Sequence, residues 1–363
     1  MIALTSWRSR RAFLGVHHLL QNPQRAAPPS FPSQMLHLRL LAASALLSPA
    51  ALAIDTVWSC DTLSSAAVAG APAGSATWSR LRCSSPSVPL GTNTSAALGP
   101  RSVTVVAATL SASLRLVPAL APAMSAHNLA PLDAIAALDG RKLVAGINGG
   151  YFYRLDVANF FDGVCIGKSA ALAEEPVAAA TPNTGVADGG IVSRGALVGS
   201  NCDCLGFNLP VWLTLNGSAS DIAVTGRASA PPAGLALDAL AAGPNLVSTN
   251  ASGTFVDVRS GDENFANVYE WSANTGMGFA PNGSTAFLAT FDGFDGCPQT
   301  NTSCGTNAFT MAAFFKDYLK VSKAMAMDQG GSTTMFVKGQ GVVTNPGAGV
   351  RAVFSGLFLE AVA

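Results

Sequence analysis

Apolar and polar positions along this 363-residue chain alternate with two periods, and each change of period marks an element. In the C-terminal third, Ala286-Phe287-Leu288-Ala289-Thr290-Phe291 reads as a buried strand ending in Asp292-Gly293. Met311, Phe314, Phe315, Tyr318 and Leu319 then fall at the i, i+3, i+4, i+7, i+8 spacing of one buried helix face, with Lys316, Asp317 and Lys320 off it. A second short apolar run, Ala324 to Met327, delivers Asp328 into Gln329-Gly330-Gly331-Ser332-Thr333-Thr334. This order predicts a right-handed crossover joining two parallel strands, which places Asp292 and Asp328 at one sheet edge. Open α/β sheets bind their ligands at such an edge.

Upstream, Val103 to Leu110 and Leu114 to Val117 read as a pair of strands, followed by a helical period from Leu132 to Leu138. Leu143 to Ile147 is a buried strand that empties into Asn148-Gly149-Gly150-Tyr151-Phe152, a further strand-end loop for the same edge. The stretch Ser64 to Gly99 is rich in Ala, Ser, Pro and Gly and reads as loop. Residues 167–190 form a long Ala/Pro/Thr-rich loop, a disordered insertion or a lid. Ile191 to Val258 carries short strands with turn signals at Asn216-Gly217 and Asn250-Ala251-Ser252-Gly253, a β meander. After Asp328, Thr334 to Val337, a turn at 338–341, Val342-Val343 and Val350 to Leu359 read as antiparallel strands, the last carrying Arg351. The expected class is α+β, mixed β-sheets with few helices and a C-terminal strand–helix–strand unit.

The amino terminus has a second start. Met35-Leu36-His37-Leu38-Arg39 opens an apolar stretch, Leu40 to Leu52, that closes on Ala51-Leu52-Ala53, the pattern of a signal peptide cleaved after Ala53. The stretch is too short for a bilayer core, so no stable membrane anchor is expected after cleavage. The chain divides into 1–34 as leader or over-extended start, 35–53 as signal peptide, 54–100 as a loop-rich disulfide-pinned segment, and 101–363 as the main domain. A secreted or periplasmic protein follows. All seven cysteines lie after the cleavage site, as an oxidising compartment predicts. Cys60 with Cys83 and Cys297 with Cys304 are candidate local pairs, leaving Cys165 to Cys202 or Cys204. Zinc is disfavoured, because Cys202-x-Cys204 is too tight and His127 is the single histidine after residue 53. Zero formal charge, 12% charged residues and no basic cluster in the body exclude a nucleic-acid partner.

Asp162-Gly163-Val164-Cys165-Ile166-Gly167-Lys168-Ser169 ends like a phosphate loop but lacks its first glycine. No G-x-S-x-G elbow is present, which removes a serine-hydrolase triad. What remains is carboxylate chemistry. Cleavage at an anomeric carbon uses an oxocarbenium-like transition state flanked by carboxyl groups, for which Asp292 and Asp328 are candidates. A phosphate leaving group departs as a stable anion, so one carboxylate with an anion-binding donor set suffices. The glycine turn Gly330-Gly331-Ser332-Thr333 suits such donors, and Arg351 supplies a planar charge for phosphate. Against this, Asp292-Gly293 reads equally as a hairpin turn, while for Asp328 the functional reading outweighs an Asx cap, because the glycines, Ser332 and Thr333 converge on it. Asp292, Asp295 and Asp328 also form a candidate oxygen set for calcium or magnesium.

Together, Ala145-Gly146-Ile147-Asn148-Gly149-Gly150-Tyr151-Phe152, Phe291-Asp292-Gly293, Met327-Asp328-Gln329-Gly330-Gly331-Ser332-Thr333-Thr334 and Val350-Arg351-Ala352-Val353 resemble the ordered signatures of the phosphodiester glycosidase domain. The resemblance covers about residues 100–362. It implies an exported hydrolase that splits a small-molecule or glycan sugar-1-phosphodiester into free sugar and phosphomonoester. Asp328, Asp292 and Arg351 would be catalytic. Asn148, Gly149, Gly150, Tyr151, Phe152, Gly330, Gly331, Ser332 and Thr333 would bind substrate, Asn148 through a sugar hydroxyl. Two positions depart from the pattern: Gln329 stands where the family usually has a first of three glycines, and Asn274 where it often has arginine. These departures motivate an alternative, a non-catalytic carbohydrate-binding or envelope-polysaccharide accessory protein.

Overall fold

In the computed structural model the described residues are 56–91, 94–120, 129–154, 185–187, 191–193, 196–199, 211–216, 219–224, 238–258, 266–294, 304–344 and 351–363. The leader, the signal peptide, His127, Asp162 to Ser169, Asp295, Val350 and four of the cysteines (Cys165, Cys202, Cys204, Cys297) lie outside them.

The N-terminal strands are long. β1 (Ser59–Ala67), β2 (Ala76–Pro89) and β3 (Ser95–Thr109) form consecutive antiparallel pairs. The expected loop at 64–99 is therefore mostly strand. Its small residues obscure the period, and the buried face changes partway along β2. Ala76 and Trp78 belong to one core and Leu81 and Cys83 to another, so the apolar phase switches within the strand. Cys60 faces Cys83 across β1 and β2 and is bonded to it. Cys304 is also disulfide-bonded, with a partner outside the described residues.

β4 (Leu114–Leu120) follows β3 but does not pair with it along its length; only Ser111 bridges Leu114 between them. It joins a second sheet with β5 (Leu143–Asn148), β18 (Met335–Val337), β19 (Gly341–Val342) and β20 (Ser355–Ala361), in the order β19-β18-β5-β20-β4. The first sheet continues through β16 (Thr285–Phe291), β15 (Asn274–Phe279), β17 (Lys323–Ala326), β13 (Asn245–Asn250) and β14 (Gly253–Val256), in the order β1-β2-β3-β16-β15-β17-β13-β14. Smaller sheets comprise β6 (Phe152–Arg154) with β7 (Gly185–Ala187), and β11-β10-β12-β8-β9, built from β8 (Ile191–Ser193), β9 (Ala196–Gly199), β10 (Val211–Asn216), β11 (Ala219–Val224) and β12 (Asp238–Ala242). The expected meander is thus split. Both predicted turns close hairpins, Asn216 opposite Ala219 and Asn250 opposite Gly253, but β12 inserts between β10 and β8, and β13 passes into the large sheet.

The two main sheets enclose a shared core with Trp78, Val106, Leu288 and Met325 from one side and Ile147, Leu357 and Leu359 from the other. α1 (Leu132–Leu138) covers the outer face of the second sheet through Leu132 and Ile135, against Phe358. α2 (Ala308–Ala313) covers the outer face of the large sheet, with Met311, Phe314 and Phe315 buried against Phe291 and Ala326. Asn307 caps it by accepting from the Thr310 N–H. Past Ala313 the helix widens into a π turn over Phe314–Tyr318, with the Leu319 N–H donating to the Phe314 carbonyl at 3.1 Å. The wider turn rotates the residues after it. Tyr318, expected inside, is 36% exposed and stacks on Phe314 at 4.9 Å between ring centroids.

This is a mostly β protein. Every strand pair among the described residues is antiparallel, which corrects the open parallel sheet expected around the strand–helix–strand unit. β16 and β17 do run in the same direction, but with β15 antiparallel between them. Their carboxyl ends still share one edge, opposite Asn274 and Gly276 of β15.

Candidate active site

The site is assembled around one side chain. Asn148 ends β5 and is 1% exposed. Its amide donates to the Asp328 carbonyl at 2.8 Å and accepts from Thr275 Oγ1 at 2.7 Å and from the Thr334 N–H at 3.1 Å. Thr275 is on β15 and Asp328 follows β17, so this amide ties the end of β5 to the large sheet. A carboxamide has two donor hydrogens and two acceptor lone pairs, and three of these four positions are filled by short bonds.

The next two residues must be small. The Gly149 N–H donates to the Ser355 carbonyl at 2.8 Å, and its own carbonyl accepts from the Asp328 N–H at 3.1 Å. A Cβ on Gly149 would stand 2.2 Å from Ser355 Oγ, and one on Gly150 would stand 2.4 Å from the Ala241 carbonyl oxygen. Both glycines thus serve close packing of backbone against β20 and β12.

After Asp328 the chain makes a single 3-10 turn, Gly330–Ser332. Asp328 Oδ1 accepts from the Gln329 N–H at 2.9 Å, one residue on, where the Asx turn expected from the sequence would bond two residues on. Gly330 holds a φ of +63°, where glycine is favoured, while Gln329 at −120° occupies ordinary extended backbone. The glutamine at 329 therefore costs the turn nothing in conformation. The expected ring of N–H donors for an anion is largely committed within the protein. Gly330 donates to Ala273, Ser332 to Gln329, Thr333 to Gly330 and Thr334 to Asn148. Ser332 and Thr333 are fully buried, as are Gly330 and Gly331.

The charged donor of the turn is Arg351. It precedes β20 rather than lying within the strand expected from residue 350 onward. Its Nε and Nη2 both donate to Ser332 Oγ, at 2.9 and 2.7 Å. Nη2 lies 3.8 Å from Asp328 Oδ2, and the guanidinium carbon sits 5.9 Å from the centroid of the Phe152 ring. The Arg351 side chain is 36% exposed and that of Asp328 8%, so a buried carboxylate backs a guanidinium that reaches the surface. Tyr151 and Phe152 are half-buried beside them.

Asp292 shares the edge but not this cluster. Its N–H donates to the Ser102 carbonyl, and its Oδ2 lies 3.2 Å from Nη2 of Arg80, which reaches across from β2. Arg80 also donates through Nε to Ser102 Oγ at 3.0 Å. Asn274, where the resembled family often has arginine, is 2% exposed and donates to the carbonyls of Ser272 and Thr306. That amide anchors the loop before α2. Of the suggested cation ligands, Asp295 lies outside the described residues, and no group of three metal-ligating side chains converges among them.

Sequence reasoning missed Arg80, Thr275 and Ser355. Arg80 lay in a stretch read as loop. Thr275 carried no signal, because its role is a contact made across two sheets.

Fold and site together define a β-rich protein of two packed antiparallel sheets, with a carboxylate and a guanidinium gathered at a strand-end glycine turn. The family model for phosphodiester glycosidases matches residues 141–360, more than half of the chain, and the chain belongs to that family, whose members are glycosidases acting on phosphodiesters. Among solved structures, the catalytic domain of zebrafish N-acetylglucosamine-1-phosphodiester α-N-acetylglucosaminidase, auto-inhibited by its pro-peptide, is similar with a TM-score of 0.50 and 16% identity, over 84% of this chain and 88% of that one. A hypothetical protein from Synechocystis is similar with a TM-score of 0.48 and 14% identity, over 85% and 68% of the two chains. A Burkholderia pseudomallei protein described as exported gives 0.48 and 14%, over 84% and 96%. No curated protein matches the chain. No helix of the described residues is long and apolar enough to cross a membrane.

Proposed function

We propose that the chain hydrolyses a sugar-1-phosphodiester to free sugar and phosphomonoester, with Asp328 acting at the anomeric carbon as base or nucleophile and Arg351 binding the phosphate. The observation that carries this reading is the Asp328–Arg351–Ser332 cluster. Ser332 fixes the guanidinium by accepting from two of its nitrogens, and Asp328 lies directly behind it. A planar, permanently charged donor group at the surface suits a phosphate diester. A phosphate monoester leaves as a stable anion, so the reaction can proceed with one carboxylate and little help from an acid.

In this reading Asn148 is a positioning residue rather than a sugar contact, since its amide already holds the Asp328 carbonyl, Thr275 and Thr334. Gly149, Gly150, Gly330, Gly331, Ser332 and Thr333 shape the site. Tyr151 and Phe152 offer partly exposed ring surface to the sugar. Asp292 is a second carboxylate at the same edge, its backbone about 9–10 Å away by two strand spacings, and it pairs with Arg80. Export follows from the signal-peptide pattern at residues 35–53. N-terminal sequencing of protein recovered outside the cytoplasm should start at Ile54.

The test is a panel of sugar-1-phosphodiesters, the N-acetylglucosamine compound included, assayed for both products. Turnover of at least one supports the reading. Binding of several with turnover of none would favour the accessory-protein alternative.

A further inference from the structure

A cavity of about 330 Å³ opens at the far end of β17 from Asp328, where the edge strands of two sheets meet. β14 is the last strand of the large sheet and β11 the first of the five-stranded sheet beside it. The ion pair between Lys323 of β17 and Asp221 of β11 ties them together at the rim. Lys323 to Asp328 spans five residues, so at about 3.3 Å per residue the cavity lies up to roughly 16 Å from the candidate active site.

The lining is ordered and chemically mixed. Ser248 and Phe255 are directly opposite across β13 and β14 and so share a face. Asp257 follows two positions after Phe255, is 8% exposed, and its Oδ2 accepts from Ser248 Oγ at 2.7 Å and from Asn245 Nδ2 at 3.0 Å. Asn245, 1% exposed, donates also to Ser248 Oγ at 2.9 Å. This closed triangle fixes a carboxylate, a hydroxyl and an amide on one wall. The half-buried ring of Phe255 and the side chains of Ile222 and Val247 form the apolar lining. The cavity's volume lies at the lower end of the range for small-molecule sites, and its lining is more polar than most.

Charge selects the ligand class. Among the described lining residues the charges are Asp257 and Lys323, and the Lys323 ammonium is already paired with Asp221 at the rim. That balance disfavours phosphate and other anions, in contrast to the Arg351 site. The Ser248 hydroxyl and the Asp257 carboxylate, held in place by the buried Asn245 amide, match sugar hydroxyls, and the Phe255 ring matches the apolar face of a pyranose. We infer that the cavity formed by Asn245, Ser248, Phe255 and Asp257 is a binding site for a neutral saccharide, separate from the candidate active site and independent of the reaction proposed for it.

The experiment is equilibrium titration of the full chain with maltotriose, cellotriose and triacetylchitotriose, with glucose 6-phosphate and galacturonate as charged comparators. At least one neutral trisaccharide should bind, and the charged sugars should not compete at Phe255. Phe255→Ala should weaken that binding by roughly tenfold or more, while Phe255→Tyr should retain it. Arg351→Ala should leave it unchanged, which separates this site from the other. Thermal melting of each variant identifies any loss that comes from unfolding, and the Tyr variant then decides. The inference is overturned if no neutral trisaccharide binds, if binding survives Phe255→Ala, or if it is lost with Arg351→Ala.

Discussion

Removing the Asn148 amide should be among the most damaging changes available at the site, because one buried group joins three segments. Asn148→Ala deletes the donor to the Asp328 carbonyl and the acceptor for Thr275 and Thr334. The Asp328 carbonyl, the Thr275 hydroxyl and the Thr334 N–H would each lose this bond at a position only 1% exposed. Each unmet buried group costs about 1–3 kcal/mol, so the three together amount to about 3–9 kcal/mol. For a chain of this size that corresponds to a fall in melting temperature of roughly 10 °C. Asn148→Asp separates the parts. It keeps both acceptor contacts and loses only the donor, unless the new carboxyl is protonated. Burial and the facing carbonyl favour the protonated form, so the folded pKa of that carboxyl is raised above its unfolded value. The variant should then be most stable at pH below the unfolded value and lose stability as pH rises through the folded one. Melting curves across pH 3–8, followed by circular dichroism, read both effects. A melting temperature for Asn148→Ala within about 2 °C of wild type, or a pH-independent Asn148→Asp, would refute the lock.

Other substitutions probe the surrounding geometry. Gly150→Ala should destabilise by about 1–3 kcal/mol, because the clash is with a main-chain oxygen that cannot rotate away; urea unfolding measures it. Gly149→Ala should cost a similar amount, partly recovered when Ser355→Ala removes the hydroxyl 2.2 Å from the new Cβ, leaving contacts at 3.2 Å. Arg351→Lys should raise KM for a phosphodiester by roughly tenfold or more through loss of the planar fork, with little change in melting, since the Arg351 side chain is 36% exposed. Each carboxylate already has an arginine partner, so chelation should leave turnover unchanged; activity abolished by EDTA and restored by calcium or magnesium would contradict this. Replacing Cys60 and Cys83 with serine opens a link between residues 23 apart, worth up to about 3 kcal/mol on the chain-entropy account.

The elements best read from the pattern are those with one clean period. α1 and β5 begin where the sequence places them, and the hairpin turns at Asn216 and Asn250 close as expected. Reading fails where the buried face changes along a strand. β2 and β3 feed the core between the sheets with some residues and the core under α2 with others, so no single alternation survives. Sheet direction was also hidden. A strand–helix–strand order predicts parallel neighbours, and nothing local reveals that β15, from earlier in the chain, lies between β16 and β17. At the site, Asp328 and Arg351 were legible by residue type, and the structure brings them within 3.8 Å. The commitment of the turn's N–H groups and of Asn148 was not legible, because hydrogen-bond partners such as Ala273 and Thr275 are set by tertiary packing.

The central claim rests on Asp328, and the direct measurement is sugar release from a sugar-1-phosphodiester by wild type, Asp328→Asn and Asp292→Asn, each with its melting curve. Asparagine at 328 can still accept from the Gln329 N–H, so the turn should persist. Asp328→Asn should lose about 10²–10⁴ in kcat with near-native melting. For Asp292→Asn, whose carboxylate is paired with Arg80 away from the cluster, the loss should be much smaller. Retained turnover in Asp328→Asn, or a larger loss in Asp292→Asn, would contradict the central claim.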